Sequence, residues 1–154
     1  MSDVLLDDEI SKELHLVPAS NGQRLANLVL DRIVIMLLAF LYGIALFYFD
    51  PAANLDYEER ELGWLKDQLL GALLVLIYYP LTEGLLKGKS LGKFITGTRA
   101  VDYHGEPTDI GKSFMRALCR IVPFEAFSFL GQPNHGWHDK WTDTMVIDEK
   151  QSTY

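Results

Sequence analysis

The chain has one cysteine, Cys119, so it can close no internal disulfide, and one thiolate cannot build a cysteine metal cage. A basic surplus is also missing: 14 Lys and Arg stand against 21 Asp and Glu, a formal net charge of -7. Nucleic-acid binding needs clustered cations in excess, so that partner class is excluded. The first residues lack the basic start of an export signal, since Asp3, Asp7, Asp8, Glu9 and Glu13 fill them. The first long apolar run is therefore expected to act as its own insertion signal. No internal repeat is visible. No Ser-His-Asp set or supported carboxylate pair occurs either, so no enzymatic activity and no cofactor are expected. Gly88-Lys89-Ser90 has the ending of a phosphate-binding loop, but the position five before Gly88 is Glu83 and no strand precedes it.

What the chain has instead is two long apolar runs, Leu25 to Phe49 and Gln68 to Leu86. Crossing a hydrocarbon core of about 30 Å takes about 20 helical residues, which each run supplies. Between them, Asp50, Asp56, Glu58, Glu59, Glu61 and Asp67 face only Arg60 and Lys66, whereas Arg24, Arg32, Lys87, Lys89, Lys93 and Arg99 flank the other ends. Lys and Arg near span ends set orientation, so both termini are expected in the cytoplasm and the acidic loop outside. Tyr48, Phe49, Tyr57 and Trp64 suit an outer aromatic belt. Pro80 lies inside the second run and predicts a kink there.

The fold class expected is an all-α, multi-pass protein of a cell (inner) membrane: a two-span helical hairpin, a cytoplasmic amphipathic interfacial helix and a short β-hairpin. An acidic lead occupies 1–22, a membrane domain 23–146 (spans at 25–49 and 68–86, a cytoplasmic module at 88–146), and a tail 147–154. In the module, Ile95 to Tyr103 with a turn at His104-Gly105 predicts a strand or hairpin arm, and Thr144 to Ile147 a second short strand. Pro107-Thr108 opens a helix with Thr108 as N-cap. On that helix Ile110, Phe114, Leu118 and Ile121 share one face, and Lys112, Arg116 and Arg120 form a basic stripe expected at anionic lipid headgroups. Phe114 to Leu130 imitates a third span, but Arg116, Arg120, Pro123 and Glu125 make crossing expensive and favour an interfacial position.

The polar residues inside the first run carry the functional question. Arg24, Asn27 and Asp31 sit at i, i+3 and i+7, one helical face spanning about 10 Å along the axis. A charge at a span centre costs about 2.5–3.5 kcal/mol, while each Leu, Ile, Val or Phe returns roughly 0.3–0.6 kcal/mol. With eleven such residues between Ile33 and Phe49, the run tolerates Asp31. Glu83 lies about one turn from the inner end of the second run, at a similar depth. Two readings stand side by side: a static ion-pair network that orients the helices, and a protonatable, cation-attracting site at the inner mouth of a pathway. Arg32 is expected to snorkel to the inner interface. Ala39 and Gly43 fit either a close helix contact or ordinary filler. His135 and His138-Asp139 lack a fourth ligand, so no metal site is expected, and capping is assigned to Asp139.

In order, Gly22-Gln23-Arg24, Asp31, Ser90-Leu91-Gly92-Lys93, Arg99-Ala100-Val101-Asp102, Arg116, Arg120, His138-Asp139 and Thr144-Met145-Val146 resemble the RDD family of membrane proteins, from about Gln23 to Val146. The one Arg and two Asp of the family's name match Arg24, Asp31 and Asp139. Lys140 stands where Arg is common and Asp143 where Gly is common. The resemblance implies a small integral membrane domain, with transport of ions or other ligands suggested for the family. With Glu83 added from the depth argument above, the ion or ligand site is expected at Arg24, Asp31, Glu83 and Asp139. The alternative is a non-transporting assembly or anionic-lipid-binding module whose Arg/Asp network is structural. Two spans cannot enclose a pore, so transport requires a homo-oligomer or other membrane subunits besides the lipid bilayer.

Overall fold

A computed structural model describes residues 15–49, 63–122 and 137–153. Helix α1 (Asn21–Phe49) starts four residues earlier than the apolar pattern predicts. The reason is a reciprocal cap: Ser20 Oγ accepts from the Gln23 amide at 3.2 Å while the Gln23 side chain accepts from the Ser20 amide at 2.9 Å. Helix α2 (Gly63–Leu85) runs continuously through Pro80. Both helices are long and apolar enough to cross a membrane, and only 11% and 28% of their apolar windows are buried. Helices this apolar and this uncovered are not the core of a water-soluble fold.

On α1 the buried residues are Arg24, Asn27, Asp31 and Ile35, so the polar stripe is the face turned into the protein. Above it, Ile35 packs with Val75, Tyr78 and Tyr79 of α2 and with Ala117. A Cβ added at Gly43 meets nothing within 4 Å among the described residues.

The remainder is a small module wedged against the Asn21 end of α1 and the Leu85 end of α2. Helix α3 (Leu91–Thr96), which the sequence pattern missed, is capped by Ser90 and ends at Gly97 with φ 69°. Strand β1 (Thr98–Asp102) pairs antiparallel with β2 (Thr144–Asp148), Ala100 opposite Val146. The expected hairpin survives only as a single bridge, Val101 to Pro107, after the turn; the main partner of β1 is distant in sequence. Thr108 stays in that return arm, its amide bonded to the Ala100 carbonyl, so Asp109 rather than Thr108 caps helix α4 (Ile110–Ile121). A last short helix, α5 (Trp137–Trp141), leads into β2.

The expected lead and tail are not separate from this module. Pro18 bridges Ile147, Ala19 donates to the Val146 carbonyl, and His15 bridges Thr153. The far edge of β2 is thereby covered by residues that a composition argument assigns to loose ends. The acidic loop at 50–62, Tyr57, Pro123, Phe124 to Leu130 with Glu125, and His135 lie outside the described residues.

Candidate functional site

Helix α4 meets the rest of the protein with its polar side. Ser113, Arg116, Ala117 and Cys119 are buried, whereas Ile110, Phe114, Leu118 and Ile121 are exposed. This reverses the orientation expected of a helix offering its basic stripe to headgroups. Arg116 is completely enclosed and the Arg120 side chain is 8% exposed, so neither can serve as a headgroup contact. Lys112 alone keeps an outward side chain, paired with Asp102 at 3.3 Å. Gly84 of α2 makes the docking possible, because a Cβ there stands 2.5 Å from the Ile110 side chain.

Arg116 turns inward because two carboxylates from different elements receive it. Its Nε donates to Glu83 of α2 at 3.1 Å and its Nη1 to Asp139 of α5 at 2.6 Å, with Thr144 of β2 also accepting from Nη1. The other oxygen of Asp139 accepts from Arg24 Nη1 at 2.6 Å, and Arg24 Nε and Nη2 reach the carbonyls of Ala19 and Val146. Glu83 in turn holds Lys93 of α3 at 2.8 Å, with Arg120 at 3.8 Å. One continuous chain of charges, Arg24, Asp139, Arg116, Glu83 and Lys93, thus ties α1, α5, α4, α2 and α3 together. Asp139, for which capping was expected, bridges two guanidiniums. Burial pushes the Lys93 ammonium down to about 8, although the Glu83 carboxylate favours its charged form.

Asp31 stands apart from this chain. It is 1% exposed. Its Oδ1 accepts from the Tyr78 hydroxyl at 2.7 Å and the Gly92 amide at 2.8 Å, and its Oδ2 from Ser90 Oγ at 2.6 Å. All three donors are neutral, and among the described residues no cation pairs with it. Gly92 is required, since a Cβ there stands 2.9 Å from Asp31 Oδ1 and 2.7 Å from the Asn27 carbonyl. Asn27 donates to Thr98 and accepts from Thr96, fastening the start of β1 to α1.

The four residues expected to form one ion or ligand site are therefore divided. Arg24, Glu83 and Asp139 belong to the ion-pair chain, and Asp31 has its own hydrogen-bonded pocket. The sequence pattern gives Tyr78, Ser90, Gly92, Lys93 and Thr144 no place in the site: Ser90, Gly92, Lys93 and Thr144 enter through the motifs of the resemblance, Lys93 also as a flanking cation and Thr144 as the start of a strand. Ser90 with a later Gly97 is a helix start and stop signal that marks α3; nothing local marks Thr144 for the site. Of His138 only the backbone is described.

The family model described as "RDD family" matches residues 18–143. No curated protein and no solved structure matches the chain.

Proposed function

This chain belongs to the RDD family, and on that premise we propose that it is a membrane transport or ion-coupling component in which Asp31 is the group that exchanges a proton or alkali cation. The observation that carries the reading is the environment of Asp31: an enclosed carboxylate with three neutral donors and no cationic partner among the described residues. Burying an unpaired charge is costly, and a proton or small cation relieves that cost. Glu83 and Asp139, by contrast, are already neutralised by the arginines and Lys93 on either side. In this reading Arg24, Asp139, Arg116, Glu83 and Lys93 hold the frame that keeps the Asp31 pocket in shape.

The proposed topology is a hairpin of two spans with both termini in the cytoplasm. Its support is the charge asymmetry of the sequence together with the strand pairing. Residues 15–19 precede α1, β1 follows α2, and all meet at β2, so the Asn21 end of α1 and the Leu85 end of α2 share one side. The same pairing favours keeping helix α4 on that side, because β1 and β2 flank it in sequence and pair with each other. Two spans enclose no pore, so the transporting form is an oligomer or a complex with other membrane subunits.

Proteoliposomes holding wild type or Asp31→Asn test the proposal through proton and alkali-cation flux. Flux that the variant loses while keeping wild-type helicity is expected; equal flux in both sinks the idea. The mutual pairing of the five charges favours a second reading, a non-transporting module. It gains if wild type and Asp31→Asn are equally silent for every cation tried.

A further inference from the structure

Between α1 and α2 lies a groove of about 660 Å³, walled by Leu28, Val29, Ile33 and Met36 on one side and Gly71, Ala72 and Val75 on the other. That volume falls within the roughly 300–1,000 Å³ of small-molecule sites. Two cations, Arg32 and Arg120, line it together with Tyr79. Arg120 lies over the Tyr79 ring at 4.2 Å and donates to its hydroxyl at 3.3 Å. Arg32 is exposed and, among the described residues, makes no hydrogen bond or ion pair.

Depth identifies the occupant. Helix α1 has 29 residues, about 43 Å, which exceeds a hydrocarbon core of about 30 Å by roughly nine residues. With Phe49 at the outer boundary, Arg32 comes within about one turn of the inner boundary of the hydrocarbon, from which its long side chain extends toward the lipid phosphates. From there the groove runs outward along α2 from Tyr79 to Gln68, about 16 Å of apolar wall. We propose that this groove is a binding site for one anionic phospholipid of the inner leaflet, its phosphate on Arg32 and one acyl chain between α1 and α2. The inference is independent of whether Asp31 exchanges a cation. It also moves lipid recognition from the basic stripe of α4, which faces inward, to Arg32.

Two variants separate the head and tail of the site. Arg32→Gln removes the phosphate partner. Gly71→Trp fills the groove, and a Cβ at Gly71 meets nothing within 4 Å, so the substitution points into free space. The full chain, delipidated in a mild detergent, is titrated with phosphatidylglycerol, phosphatidylcholine or inorganic phosphate and weighed by native mass spectrometry, with circular dichroism confirming helicity. Wild type is expected to retain one phosphatidylglycerol in preference to phosphatidylcholine. Losing a hydrogen-bonded charge at the phosphate lowers affinity by on the order of ten- to a hundredfold in Arg32→Gln. Arg32→Lys recovers part of it, and Gly71→Trp loses the lipid with Arg32 intact. The proposal is overturned by any of four results: no phosphatidylglycerol on wild type, undiminished binding in either variant, inorganic phosphate displacing the lipid, or a wild-type dimer that Gly71→Trp converts to monomer.

Discussion

Asp139→Asn isolates the charge chain with almost no change of shape. In the native protein each carboxylate oxygen takes one guanidinium at 2.6 Å, from Arg24 and from Arg116, and Asp139, Arg24 and Arg116 are all buried. The amide keeps one acceptor oxygen and replaces the other with a donor that faces a guanidinium. One buried pair is broken and its cation left behind, a loss of about 3–5 kcal/mol. For a chain of this size each kcal/mol shifts Tm by about 2–4 °C, so the loss predicts a drop of roughly 6–20 °C. The assay is thermal unfolding of the full chain in detergent, followed by circular dichroism. Arg24→Gln combined with Asp139→Asn removes the stranded cation along with the acid, so the double variant is expected to be less damaged than the sum of the singles by about 0.5–3 kcal/mol. A single variant within 0.5 kcal/mol of wild type, or strict additivity, refutes the account of one coupled chain.

Further outcomes follow from the close contacts and the titrating groups. Gly92→Ala places a Cβ 2.7 Å from the Asn27 carbonyl and should destabilise by about 1–3 kcal/mol; Gly43→Ala, which meets nothing within 4 Å, should be neutral or stabilising by up to about 1 kcal/mol, both read as Tm. Hydrogen bonds from Gln23, Lys150 and Gln151 hold the Asp148 carboxyl below its ordinary 3.8. Its stabilisation is therefore complete above that value and lost as pH falls through the lower folded value, and Asp148→Asn should flatten this acid limb in a Tm against pH series. Lys93 has the opposite sign to a surface lysine. Its folded value near 8 lies below the ordinary 10.5, so the unfolded chain holds more protons between these limits and the Lys93 contribution to stability rises with pH there. Lys93→Met should remove that rise. A reporter fused after Tyr154 should read as cytoplasmic, and an external reading contradicts the proposed topology.

The two apolar helices and the inward stripe of Arg24, Asn27 and Asp31 were legible because a 3.6-residue period is a local property. The short helix α3 was marked by Ser90 and Gly97, yet the glycines and lysines between Lys87 and Lys93 masked it. The face of α4 was misassigned for a physical reason. A basic amphipathic stripe normally turns to water or headgroups, but Glu83 and Asp139, at distant positions in sequence, provide enough negative charge to draw Arg116 inside. No window-based argument sees that, because the partners of Arg116 are 33 and 23 residues away. The same holds for β2: its pattern predicted a strand, but its partners, β1 and residues 15–19, are set by tertiary pairing.

The central claim, that Asp31 and not the arginine-bound acids is the exchanging carboxyl, is tested most directly by infrared difference spectroscopy on the full chain in lipid while the pH is stepped in the presence and absence of alkali cations. The account predicts one protonated-carboxyl band that comes and goes reversibly with pH, disappears in Asp31→Asn and persists in Asp139→Asn. A titrating band that survives Asp31→Asn, or the absence of any carboxyl band that depends on Asp31, contradicts it.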